Sequence, residues 1–259
     1  MTEIRYPKFN RGRILKIGML ESLRDLPRDA LDCFCEDLSD GIVCGFTPIV
    51  YEDTITFSKG ILKYKGELFV VRDLTAISYA EINIEVAIKI IFMQEEEQHD
   101  FNSRVIDFIV DDNATIGENE IELGRFKLKK GAYLRSNYQD LNDFTTEYNT
   151  INIVNMLYAG YNRPTLSPLI LRYFAKAALE LNPKNHLDIT FAMLCLNSTR
   201  MEMDVILHYL RERLVHSDIA DNLPNHEIHA YLLKAFDLVK KEGVPKRRMM
   251  NQRTKVMLD

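Results

Sequence analysis

Histidines in the C-terminal half are the side chains best suited to bind a metal. His226 and His229 are three residues apart, so on a helix both would lie on one face and could share an ion. The same half contains His186, His208 and His216, and none of them has a spacing that supplies a third ligand. We therefore predict surface or capping histidines here, and neither a metal site nor a cofactor.

Paired carboxylates are the second kind of residue that could do chemistry. They occur at 95–97, at Asp111–Asp112, and at Glu118 with Glu120. General acid and base catalysis needs two carboxyl groups held in a cleft in different environments. These acids instead cluster with other acids in connecting segments, and Asp111–Asp112–Asn113 lacks the ligand spacing of an EF-hand calcium loop. The pattern predicts solvated edges.

Nucleophiles and phosphate-binding loops are not indicated. The sequence contains no GxSxG, no GxGxxG and no GxxxxGK followed by serine or threonine. Cys33 and Cys35 have one residue between them, so they do not form CxxC, and with Cys44 and Cys195 they are predicted to be reduced thiols. We predict no catalytic residue and no enzyme; a histidine-bound metal hydrolase is the least favoured alternative.

Positive charge is concentrated at the two ends of the chain. Residues 1–17 are predicted to form either an extended arm that lies along a neighbouring surface or a frayed terminus, and residues 241–259 a tail. The basic residues expected to bind a partner are Arg5, Lys8, Arg11, Arg13 and Lys16 in the arm and Lys246, Arg247, Arg248 and Arg253 in the tail. Such ends can contact nucleic-acid phosphates or an acidic protein surface. The net charge of −5 favours the protein partner, and nucleic-acid binding through the helical half and the tail stays the alternative.

The residues that follow the arm are predicted to be helical. Pro27 is expected to open a fresh helix, because proline is tolerated in the first turn and not in the interior. Ala30, Leu31, Phe34 and Leu38 form an apolar stripe that predicts a core-facing side.

Residues 41–135 predict β-structure. Ile55 and Phe57 alternate with polar residues, and Lys65–Gly66 lies where a hairpin turn needs positive φ. Alternating isoleucines predict a long strand from Ile82 to Ile90, and a final strand is expected over 121–128. Strands at this spacing are typical of a small sandwich or a curled antiparallel sheet.

Residues 139–240 predict four or five helices with short connections. The first is expected to carry Leu141, Phe144, Tyr148, Ile151 and Asn155 on one face and to end at Gly160. The fold class is therefore α+β, with a short helix before an antiparallel β-rich domain and a helical bundle at the C-terminal end. The predicted organisation is an arm (1–17), a β-rich domain (18–135), a helical domain (136–240) and a tail (241–259).

Hydropathy indicates an unsecreted, soluble chain. The first residues lack the apolar region of a signal peptide, and no apolar run reaches the ~20 residues that span a bilayer.

Several segments together resemble the amino-terminal layout of phage tail-fibre, tail-collar and baseplate proteins. They are FNRGRIL (9–15), SDGIVCGF (39–46), ITFSKGILKYKGELFVV (55–71) and IELGRFKLKKGAYL (121–134). The resemblance covers about residues 9–71 and 121–134, and the helical half departs from the repetitive fibre pattern.

The resemblance implies a structural subunit of a tail, a baseplate or a phage-tail-like particle, and it transfers no catalytic residue. It implies assembly in the bacterial cytoplasm, location in the particle, and an oligomer or hetero-complex with other tail subunits. We expect contacts through the arm, the tail and the edge strands, since an edge strand offers unpaired backbone groups.

Overall fold

The computed structural model describes residues 5–80, 83–94, 96, 97, 99, 102–215 and 219–243. The helices are α1 (Ile17–Cys35), α2 (Pro168–Glu180), α3 (His186–Asn197), α4 (Met203–Leu214) and α5 (Asn225–Glu242). The strands are β1 (Gly41–Cys44), β2 (Pro48–Tyr51), β3 (Thr54–Phe57), β4 (Gly60–Tyr64), β5 (Glu67–Val71), β6 (Thr75–Ser78), β7 (Val86–Phe92), β8 (Glu96–Glu97), β9 (Asn102–Ser103), β10 (Ile106–Asp111) and β11 (Glu120–Phe126). The predicted α+β class, with one helix before the strands and a helical C-terminal part, is confirmed.

The strands form three small antiparallel sheets and a two-stranded pair. Their orders are β1-β4-β5, β2-β3-β6 and β10-β7-β11, with β8 beside β9. The predicted hairpin at Lys65–Gly66 is confirmed, because both residues have positive φ (50° and 81°) between β4 and β5. The carboxylate of Asp40 accepts hydrogen bonds from both of their backbone N–H groups and fixes the turn.

The strand predicted over Ile82–Ile90 begins later in the chain than the isoleucine pattern indicates. β7 begins at Val86, because its partners end there: Phe126 of β11 pairs with Val86 and Asp111 of β10 with Ala87. Ile84 lies before the strand and is 49% exposed. Ile82 is outside the described residues.

Pro27 does not open a fresh helix, and that prediction is wrong. A single helix runs from Ile17 to Cys35 with the proline inside it. Pro27 has no N–H for the carbonyl of Leu23, four residues earlier. Both residues are exposed, so water can satisfy that carbonyl.

The helix predicted over residues 139–160 is also wrong. Only a short 3-10 helix forms, at Asn142–Thr145, and the chain then continues through bends, a turn and isolated β-bridges. The N–H groups of Asn149, Ile151 and Asn152 donate to carbonyls of Lys127, Arg135 and Arg125, so bonds to distant segments replace those of a helix. Gly160 therefore ends no helix.

Four helices follow in the C-terminal part, and two of them begin at a side-chain cap. Ser167 caps α2, because its hydroxyl accepts from the N–H of Leu169, and Asn185 caps α3 in the same way. One hydrophobic cluster contains residues from the sheets, such as Ile88, and from the helices, such as Ile170 and Leu232. The domain boundary at 135/136 stays a prediction.

Candidate docking surface formed by the arm and helix α1

The basic arm is exposed and lacks regular secondary structure over residues 5–16, apart from one turn. Gly12 (φ 83°) lies in that turn, and the N–H of Arg13 donates to the carbonyl of Asn10 (3.2 Å). The side chains predicted to bind a partner, Arg5, Lys8, Arg11, Arg13 and Lys16, are all in exposed residues. Their tail counterparts Lys246, Arg247, Arg248 and Arg253 lie outside the described residues.

Apolar side chains alternate with these charges. Tyr6, Phe9, Ile14 and Leu15 are each more than half exposed. The arm meets α1 at Met19, which lines a small surface pocket together with Phe9 and Leu15. The arm therefore presents positive charge and apolar surface together.

Helix α1 has one continuous apolar side. At 100° per residue its apolar residues occupy an arc of roughly 160° that contains no charged side chain. The members of this apolar arc are Met19, Leu20, Leu23, Leu26, Pro27, Ala30, Leu31, Cys33 and Phe34, and the charged residues Glu21, Arg24, Asp25, Arg28, Asp29 and Asp32 all project from the opposite side. Such a division is typical of a helix that packs its apolar side against another structure.

The apolar arc of α1 faces solvent. Leu23 is 57% exposed, Leu26 53% and Phe34 87%, and Cys35 is the only buried residue within the helix. Phe34 was expected in a core-facing stripe, and the structure places it outside the core. Of that stripe, only Leu38 is buried and Leu31 partly buried.

The helix is attached to the body by its C-terminal end. Cys35 packs with Leu38 and Ala159, and Leu31 lies against them. Arg28 and Asp32 line a cleft of about 680 Å³ between α1 and the β4–β5 hairpin. Leu31 and Cys33, at the two borders of the apolar arc, line the same cleft. The centre of the arc points roughly 120° away from the attachment at Cys35.

The cleft continues along β5, which is an edge strand of its sheet. Leu68 and Val70 of β5 line it beside α1, and Ile106 and Phe108 line its far wall. Unpaired edge strands with apolar side chains are sites where another chain adds a strand. β5 is an edge strand within residues 39–71, whose edge strands are expected to contact a partner, and that contact stays a prediction.

The histidines are dispersed. His186, His208 and His226 are exposed, His229 is buried on the inner side of α5, and His216 is outside the described residues. Across the part of the chain that the structure describes, no group of three His, Cys, Asp or Glu residues is arranged to hold a metal ion. All four cysteines are free, and burial raises the pKa of Cys195 to about 12.

Two of the sequence-predicted carboxylates converge on one lysine. Lys89 Nζ lies 2.7 Å from Asp111 and 3.1 Å from Glu120, and it donates to the carbonyl of Thr115. Burial lowers the pKa of Lys89, but the hydrogen bonds to the two carboxylates outweigh it, so its net pKa lies above the usual value. The group is an ion-pair triad that joins β7, β10 and β11, and the alternating pattern alone did not reveal Lys89.

No protein-family model, curated protein or solved structure matches this chain. Among the described helices, none has the length and apolar character needed to cross a membrane.

Proposed function

We propose that this chain is a structural subunit of a phage tail or baseplate, or of a phage-tail-like particle, and that it binds neighbouring subunits through the arm and α1. The observation that carries the proposal is the apolar arc of α1, whose centre faces solvent while Arg28 and Asp32 of the charged side line the cleft against the body. Contiguous exposed apolar surface on a soluble protein marks an interaction site.

The arm supports the same role. Its exposed positive charges adjoin the apolar arc, and charge at the rim of an interface steers association and selects partners. The preferred partner surface is therefore apolar at its centre and acidic at its edge.

The type of particle is supported by the sequence resemblance. The resembling segments form the arm, β1, the strands from β3 to β5 and β11. Among them, the arm contacts α1 at Met19 and the β4–β5 hairpin lines the cleft beside α1, so part of the region that resembles tail proteins adjoins the unpartnered surface.

Mass spectrometry of purified particles tests the proposal. We expect the chain in tail or tail-like particles from the cells that encode it, at a fixed ratio to the other particle proteins. Its absence from intact particles, together with salt-dependent DNA binding by the purified chain, would overturn the proposal in favour of a nucleic-acid-binding protein.

A matched pair of variants tests the docking surface. Leu23→Asp adds a charge to the apolar arc, and Ser22→Asp adds the same charge to the adjacent polar side. We expect the first to lose most incorporation into particles and the second to retain it, with equal circular dichroism for both. Equal incorporation of the two variants would contradict a docking role for the arc.

A further inference from the structure

We propose that α1 packs in parallel against α1 of further copies of this chain and forms a closed helical bundle of three or more. The inference rests on the proposed assembly role, and it names a second copy of the chain as the partner of the apolar arc. Three features of α1 support it: the width of the arc, the charges at its two borders, and its accessibility.

The arc is too wide for a single neighbouring helix. A two-stranded coiled coil buries two positions in seven, whereas a helix inside a bundle buries three or more. In α1, residues 20–26 supply Leu20, Leu23 and Leu26, and residues 27–33 supply Pro27, Ala30, Leu31 and Cys33. Each α1 can therefore contact a neighbour on both sides of its arc.

The two borders of the arc carry opposite charges. Arg24 and Arg28 lie beyond the border at Leu31, and Asp29 is the charged residue nearest the border at Cys33. Glu21 and Asp25 lie further round the helix, and the guanidinium of Arg24 donates to the carboxylate of Asp25 within the same helix. In a parallel arrangement the basic border of one helix meets the acidic border of the next. In an antiparallel arrangement like borders meet, which is repulsive. The charges therefore select parallel association between identical copies.

The position of α1 leaves this surface accessible. The helix is attached to the body near Leu31 and Cys35, and the described part of the arm meets it near Met19. Leu23 lies between the two contacts and is 57% exposed. Phe34 lies near the end of the helix and is 87% exposed. Several copies can bring these residues together without displacing a contact of the body.

Charge reversal tests the association. By sedimentation velocity we expect the purified chain to have at least three times the monomer mass. Arg28→Glu and Asp29→Lys should each weaken association at least tenfold at low salt, because each places like charges across the contact between copies and leaves the Arg24–Asp25 pair within the helix unchanged. The variant with both substitutions restores opposite charges across the contact and should recover association. Failure to recover would overturn the charge-directed arrangement.

Cross-linking tests the direction of the helices. Cys33 and Cys44 are the exposed thiols, so in a Cys44→Ser background a short bismaleimide reports on Cys33. Parallel helices place Cys33 of neighbouring copies side by side, whereas a centred antiparallel pair separates them by about 20 Å along the axis. We expect cross-linked oligomers of the full chain. An associated chain that does not cross-link would overturn the parallel arrangement.

These outcomes separate the inference from the proposed function. A chain that is monomeric when purified yet present in particles would overturn self-association and leave the particle role in place. A chain that forms parallel oligomers but is missing from particles would do the reverse.

Discussion

The ammonium group of Lys63, in β4, donates a hydrogen bond of 2.9 Å to the carbonyl oxygen of Cys35, the last residue of α1. The same nitrogen donates to the carbonyls of Glu36 (2.9 Å) and Leu38 (2.7 Å). The last carbonyls of a helix have no partner within it and carry partial negative charge, so a cation there stabilises the end. Lys63 thus connects the exposed helix to the sheet.

Replacing Lys63 should loosen α1. Lys63→Met leaves the carbonyls of Glu36 and Leu38 without this donor, while that of Cys35 keeps the N–H of Leu38. We expect a loss of about 2–4 kcal/mol in the free energy of unfolding. Hydrogen exchange in α1 should rise more than in α2–α5. Lys59→Met, at an exposed lysine in the same region, is the control. Equal exchange in the two variants would show that Lys63 does not hold the helix.

A local signal in the sequence was sufficient for the hairpin at Lys65–Gly66, and the cap of α2 is local in the same way although it was not predicted. Lys65–Gly66 needs positive φ whatever surrounds it, and Ser167 caps α2 with an atom two residues from its donor. Such features depend on neighbours in the chain, so the local sequence can predict them.

Features that depend on distant residues were not predicted. The spacing of residues 141–155 fits a helix, but N–H groups such as that of Ile151 find carbonyl partners elsewhere in the fold. The apolar arc of α1 was obscured because Pro27 divided it into two predicted helices. The periodicity of residues 17–35 taken as one helix would have shown the arc, but its exposure depends on how Lys63 and Cys35 orient the helix.

A buried ion pair between α3 and α4 should be sensitive to loss of one partner. Asp188 accepts hydrogen bonds of 2.9 Å from Tyr209 and from Arg213, and burial raises its pKa despite them. Arg213→Met leaves the carboxylate without its cation, and we expect about 3–5 kcal/mol lower stability. Asp188→Leu/Arg213→Met removes both charges and should lose less.

Urea denaturation at pH 7 measures these variants. The control is Glu242→Gln, which removes the half-exposed second partner of Arg213 and should have the smallest effect. A double variant less stable than Arg213→Met would contradict the assigned cost of the unpaired carboxylate.

Two glycines with nearly the same φ should differ in their tolerance of alanine. Gly45 (φ 80°) has its missing Cβ directed at the backbone of Lys59 and Gly60, whereas Gly66 (φ 81°) has open space there. Gly66→Ala should cost only the left-handed conformation, about 1 kcal/mol. Gly45→Ala adds a clash between two backbones and should cost more than about 3 kcal/mol by thermal denaturation. Equal losses would mean that the chain at Gly45 moves aside without cost.

The buried imidazole of His229 should make stability depend on pH. Its ring packs edge-on to Phe144 at 6.3 Å, and neither nitrogen makes a hydrogen bond of good geometry in the described structure. Burial lowers the pKa of His229 to about 4, and a backbone interaction at Leu141 offsets only part of this. The folded state therefore resists a proton that the unfolded state accepts near pH 6.5.

Because the pKa of His229 is lower in the folded state, the protein should be less stable at lower pH. Above about pH 6.5 the imidazole of His229 is neutral in both the folded and the unfolded state, so it does not change the free energy of unfolding. Between about pH 6.5 and 4 only the unfolded state takes up the proton. Stability should fall by roughly 3 kcal/mol across this window because of His229. His229→Leu should remove this component, whereas His226→Leu, at an exposed histidine of the same helix, should retain it. Urea denaturation at several pH values gives the difference, and parallel curves for the wild type and His229→Leu would contradict the assignment.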